Sequence, residues 1–214
     1  MLYNTKKQVP KKGISGTIRI ILFRKCFMPK ILLDTQLKID ARTIETQKKL
    51  YAALIHFYEE KHSFTELTVT QVCHYAHVGR TTFYRHHQDL TDIITVQLLI
   101  LINDFHQRID SVTTLNFETG SQAIVTEIRN NPLLFQLMAW SQSTNLMVHI
   151  LSGEVLNILN IREHDFDHQT ILATLLAQNI LNFALTISTH PEFNFEQVQQ
   201  LFNLTIPNLP APID

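Results

Sequence analysis

Glycine and cysteine are scarce in this chain, and each shortage excludes something. Five Gly and seven Pro in 214 residues are too few for the many tight turns of an all-β protein. Two cysteines, Cys26 and Cys73, make no disulfide framework and fit a reducing compartment. Long apolar runs are missing too. Runs such as Leu98 to Ile102 fall far below the ~20 residues of a membrane span. Near the start, Ile18 to Phe23 is broken by Arg19 and closed by Arg24–Lys25, too short for a secretory core. A cytoplasmic protein without membrane association is expected. The net charge of −1 advertises no polyanion partner, yet it hides an asymmetry. Residues 1–33 carry eight Lys/Arg and no acid, whereas the rest carries ten bases against nineteen acids. Nucleic-acid binding would therefore have to come from a local patch.

What is present is apolar material, 45% of the chain, enough for a sizeable core. Residues 1–39 show no period and read as a basic, poorly ordered extension. They are either a loose arm, an over-long gene start with Met28 as the initiator, or an arm that contacts phosphates. From residue 40 the apolar period is helical almost throughout. Asp40 or Thr43 can cap a helix carrying Ile44, Leu50, Tyr51, Leu54, Phe57 and Tyr58. Thr68 can cap a short helix with Val69, Val72, Cys73 and Ala76 on one side, and a second short helix from Arg80 to His86 buries Phe83. A long helix capped by Asp89 or Thr91 comes next. Further helices fall at about 117–130, 132–140, 144–161, 166–189 and 194–205, with Asn131–Pro132 as a stop-and-restart signal. The reading is an all-α fold of about nine helices, with a head at 40–90 and a body at 91–214.

The informative stretch is Leu67 to Tyr84, LTVTQVCHYAHVGRTTFY. Two short helices joined by about three residues, with small or apolar residues at fixed offsets, form the helix-turn-helix plan. Val69 and Val72 pack inward, Cys73 and Ala76 stay small where the helices cross, Val78 plugs the corner and Phe83 anchors from beneath. That leaves Gly79, Arg80, Thr81, Thr82, Tyr84, Arg85 and His86 on or near the outer side. Small hydroxyls, an aromatic hydroxyl and cations beside a glycine suit phosphates and base edges in a major groove.

Leu67-Thr68-Val69, Ala76-His77-Val78-Gly79 and Thr82-Phe83-Tyr84-Arg85-His86-His87 closely resemble the signature of TetR-family transcriptional regulators. The specific resemblance covers about residues 41–95. It implies that Thr68 touches a phosphate and that Gly79, Arg80 and Thr81 enter the groove, with Arg80 on a guanine edge. It further implies that Thr82, Tyr84 and His86 clamp phosphates. Three positions depart from the pattern. His77 stands at the usual turn glycine, His87 replaces a buried Phe, and Leu90 replaces a lysine that meets the DNA backbone. Loss of that cation leaves room for a TetR-like coregulator that acts through a protein partner instead of its own operator.

For the body, the resemblance implies a ligand cavity between helices, for which Ile102, Phe105, Phe135, Met138, Trp140, Met147 and Phe183 supply apolar walls. His149 and Asn179, polar groups in apolar stretches, are its candidate polar contacts. Ala173, Ala177, Leu181 and Ala184 recur at helical spacing, and Val198 and Phe202 lie on the apolar side of the last helix. With the resemblance, they suggest a homodimer through a four-helix bundle. The function implied is that of a repressor released from double-stranded operator DNA by a small apolar or amphipathic effector. A DNA-binding protein without an effector is a second alternative, and an enzyme, which no grouping in the sequence supports, is the third.

Competing chemistry is thin. Cys73 reads as a small core residue. His74 with His77, and His164-Asp165-Phe166-Asp167-His168, have ligand-like spacings, but a capped loop explains the second and the first needs more ligands. No metal, no cofactor and no catalytic grouping are expected. His74, His77, His86 and His87 clustered near a polyanion would make DNA binding tighter at pH 6 than at pH 8.

Overall fold

The computed structural model describes residues 41–110, 116–161 and 168–208. Among these the chain is all helical, with nine α-helices, one turn of 3-10 helix (Phe64–Glu66) and no strand. Helix α1 spans Ala41–Glu59, α2 Val69–Tyr75, α3 Arg80–His86 and α4 Leu90–Asp110. Then come α5 (Phe117–Asn130), α6 (Pro132–Trp140), α7 (Thr144–Ile161), α8 (Gln169–Ser188) and α9 (Phe195–Thr205). The basic extension, and the expected caps Asp40 and Asp165, lie outside the described residues.

Helix α1 buries Gln47, Leu50, Ala53 and Leu54, one stripe at the helical period. The Gln47 Nε2 donates to the Ile93 carbonyl at 2.8 Å and so ties α1 to α4. Thr68 starts α2 in a capping box: its Oγ1 accepts from the Gln71 backbone N–H while the Gln71 side chain accepts from the Thr68 N–H. Asp89 caps α4, accepting from the Asp92 N–H at 3.1 Å. Asn131 is the N-cap of α6, as its place before Pro132 implies, and its backbone carbonyl accepts from the Leu134 N–H. Pro132 opens α6, while the Asn131 side chain donates back to the Glu127 carbonyl and closes α5.

Scarce glycine shows at the helix ends. Helices α1, α2 and α6 each finish in a Schellman motif, and the left-handed residue is Lys61, His77 and Gln142 respectively. For α2, the Val78 N–H bonds the Cys73 carbonyl and the His77 N–H bonds that of His74, the 6→1 and 5→2 pair of that motif. His77 thus takes the backbone that its glycine-like position predicted, at φ 52°, for roughly 1 kcal/mol of strain.

A contiguous core runs from Leu50 in α1 through Val72, Phe83, Ile93 and Leu98 to Met138, Met147, Leu181 and Phe202. Helix α4 crosses from the head, where it packs on α1, to the body, where it meets α5 and α6. Helix α8 packs most extensively on α7 and then on α6. It carries no charged residue and is long and apolar enough, by length and composition, to cross a membrane. Within this fold its buried side, Ala173, Leu176, Ala177, Leu181, Ala184, Ile187 and Ser188, belongs to the protein core.

Candidate nucleic-acid interface

Helix α3 is fixed from beneath. Phe83 is fully buried, and the His87 ring just beyond the helix packs 5.3 Å from it, itself 1% exposed. Opposite that anchor, Arg80, Thr81, Tyr84 and Arg85 are exposed and share one helical face. Thr82 and His86 flank it, half-buried. The face therefore holds two permanent cations, and Arg85 belongs with the residues singled out from sequence. Gly79 is the N-cap of α3 at φ −65°, where any residue is tolerated. A Cβ there would meet only Thr82 Oγ1, at 3.8 Å. The fold itself does not require glycine at 79, so its bareness matters only to something approaching from outside.

Thr68 is exposed, but its hydroxyl already donates to Gln71 Oε1 at 2.7 Å within the capping box. Its part in holding α2 is thus visible in the fold. Leu90 is 6% exposed and contributes to the core. A side chain there faces inward, which explains why an apolar residue can replace a cation.

The histidine cluster divides. His74 and His77 are exposed. Burial, with Arg85 beside it, lowers the His86 pKa, and burial drives that of His87 down to about 4. His87 Nδ1 has no hydrogen-bond partner, as expected for a ring held neutral among apolar neighbours. His87 therefore does not supply the extra charge expected at pH 6, and the surroundings of His86 work against it. Burial also raises the Cys73 thiol against the pull of Arg80, as for an unreactive packing residue.

The body redistributes the other candidates. Ile102, Phe135, Met138 and Met147 are buried, and Phe105 and Phe183 are half-buried, with Phe183 edge-on to Phe202 at 5.2 Å. Trp140 sits instead at the junction with the head. His149 and Asn179 are exposed and do not line an interior space. Both lie on the solvent side of helices rich in apolar residues, so apolar neighbours in sequence misplace them. An open groove of about 450 Å³ lies elsewhere, between α5 and α9, flanked by Gln122, Phe195, Gln199 and Leu204.

The six expected dimer residues also need correction. Ala173, Ala177, Leu181, Ala184, Val198 and Phe202 are each at most 1% exposed within the single chain. Small residues on α8 admit neighbouring helices of the same chain, which leaves none of this face for a second copy. What α8 and α9 do expose is Ile171 and Leu175, at 61% and 53%, and Phe195 and Leu204, at 39% and 76%. Gln178, Asn179, Asn182 and Thr186 continue the α8 stripe without a charge. Among the described residues, no three of His, Cys, Asp and Glu converge as a metal site.

No family model matches the chain, and no curated protein does. Among solved structures, the crystal structure of Lin0861 from Listeria innocua aligns with a TM-score of 0.72 at 34% identity. The match covers 78% of this chain and 92% of that one.

Proposed function

The chain belongs to the same family as Lin0861 of Listeria innocua, and from that premise we propose that it is a DNA-binding transcriptional regulator of the TetR kind. The observation that carries the reading is the outer face of α3. Arg80, Thr81, Tyr84 and Arg85 stand exposed together on a helix anchored by Phe83, with no core role to explain them. That is the chemistry of a recognition helix: guanidinium for a guanine edge or phosphate, and hydroxyls for the backbone.

The working unit is a cytoplasmic homodimer. Its interface is the uncharged outer stripe of α8, where Ile171 and Leu175 stand exposed, because this is the kind of surface that a second copy needs. Two heads then address successive major grooves roughly 34–36 Å apart. The body acts as the controlling part, in which an apolar or amphipathic small molecule taken up between its helices favours one setting of the heads. Such a ligand must bind the two settings unequally, or it shifts nothing.

A gel shift with the DNA upstream of its own gene tests the reading, with Arg80→Ala as control. A shift that Arg80→Ala weakens supports it. Absence of a shift at low salt sinks it in favour of the coregulator reading, which the lack of a cation at position 90 favours. Repression itself is tested by titrating a bound effector with and without operator, since linkage requires equal and reciprocal weakening.

A further inference from the structure

Helix α6 has only two polar side chains in nine residues, Gln136 and Trp140. Four positions apart, they lie on one face. Both reach across element boundaries. Gln136 Nε2 donates to the Ser188 carbonyl at the end of α8, and its Oε1 accepts from the Tyr58 hydroxyl of α1 at 3.3 Å. Trp140 Nε1 donates at 2.9 Å to the His62 carbonyl, in the turn beyond α1. Its ring stands edge-on to Tyr58 and Phe64, with centroids 5.5 and 5.0 Å away.

The acceptors have a common character. Ser188 is the last residue of α8, where a helix leaves carbonyls without an internal donor, and His62 lies past the end of α1. The bonds from α6 thus hold helix ends without competing with any helical ladder. The rest of α6 is embedded, with Leu134, Phe135, Leu137 and Met138 buried. It packs on α8, α1 and α4. A close-packed element of this kind moves as a unit and transmits displacement.

We propose that Gln136 is a two-ended link that couples the end of α8 to α1 of the head. A shift of α8 then reaches the head through α6, in parallel with the route along α4. One amide serves both ends, so withdrawal of Ser188 frees it to turn and leaves the Tyr58 hydroxyl unpaired. As a regulatory device the link rests on the reading of the head as a DNA-binding unit; as a mechanical coupling it does not.

Hydrogen exchange on the full chain separates the two. Without DNA, Gln136→Leu speeds exchange of the amides at 186–190 up to about tenfold, and Tyr58→Phe alone speeds the same amides about threefold. The double variant adds nothing to Gln136→Leu, because Tyr58 acts on α8 only through that amide. Tyr75→Phe, which removes an exposed hydroxyl elsewhere in the head, leaves α8 unchanged. Unaltered α8 exchange in Tyr58→Phe, or additive effects in the double variant, overturns the link. A second arm adds a duplex that the protein itself enriches from a random pool. DNA slows exchange at 186–190 more in the native chain than in Gln136→Leu, where only the route along α4 remains, and equal slowing in the two also overturns the proposal. If no duplex protects any part of the head, the DNA-binding reading fails while the first arm still decides the coupling.

Discussion

Acid should loosen this protein through a single ring. His87 is 1% exposed, packs on Phe83 and has its pKa lowered from 6.5 to about 4 by burial, with His86 adding in the same direction. In the unfolded chain the ring takes up a proton at its ordinary pKa, so between pH 6.5 and 4 the unfolded state binds more protons. Stability therefore rises with pH across that window and falls as pH drops through it. The full interval corresponds to about 3 kcal/mol, and about 2 kcal/mol of it is gone by pH 5. Against a typical ~5–15 kcal/mol for a whole domain that is a large share. The substitution that isolates it is His87→Phe, which fills the site with a ring that cannot titrate and removes the unpaired Nδ1. Urea unfolding at fixed ionic strength, followed by circular dichroism at pH 7.5 and pH 5, reads the effect. The native chain should lose about 2 kcal/mol more than His87→Phe between the two pH values. Equal losses would mean that His87 protonates in place and that its burial does not hold it neutral.

The proposed DNA-binding role gives further tests. Burial and the neighbouring Arg85 both oppose protonation of His86, so His86→Gln should change the pH profile of a gel shift little; a flattened profile would show that His86 charges on DNA. Arg80→Ala should cost ~1–3 kcal/mol and relax preference at one operator position, whereas Tyr84→Phe weakens all duplexes alike. Competition with operator variants distinguishes them, and equal loss on specific and random DNA makes Arg80 a phosphate contact. Leu175→Glu, on the exposed stripe, should yield folded monomers in sedimentation at micromolar concentration, while Ala177→Glu, at a fully buried position, should fail to fold. A folded, dimeric Leu175→Glu would place the interface elsewhere. At the end of α2, His77→Gly should hold or raise the thermal midpoint and His77→Val should lower it, since branching at Cβ disfavours φ 52° most. Equal midpoints for all three would deny the left-handed backbone there.

Sequence carries the local features well because local chemistry produces them. Thr68 capping α2, Phe83 under α3, Pro132 opening α6 and the left-handed turn at His77 each depend on residues within a few positions. The body is harder to read for a definite reason. Helix α8 is uncharged and its buried face is built of small and apolar residues, so its period marks a close-packed face without naming what packs there. The alanines look like a meeting place for a second copy, and neighbouring helices of the same chain occupy it. By the same ambiguity Asn179 and His149 read as lining an interior that they in fact face away from.

Long-range polar contacts leave even less trace. Tyr58 and Gln136 are 78 positions apart, as are His62 and Trp140, and nothing near any of them signals a partner. Trp140 is the clearest case. Its size and apolar surroundings suggest a pocket wall, yet its indole N–H needs an acceptor when packed, and the acceptor is a backbone carbonyl of the head. A helix with two polar side chains among nine residues has few reasons to keep them. That both cross a boundary is better explained by what they join than by the stability of α6, which its buried Leu134, Leu137 and Met138 already provide. The head of this molecule is therefore held at two places. Gln47 ties α1 to α4, and Gln136 with Trp140 ties α1 and the turn beyond it to α6. A body that moves only one of these must strain the other. In the regulator proposed above, the setting of α3 would then depend on both contacts together.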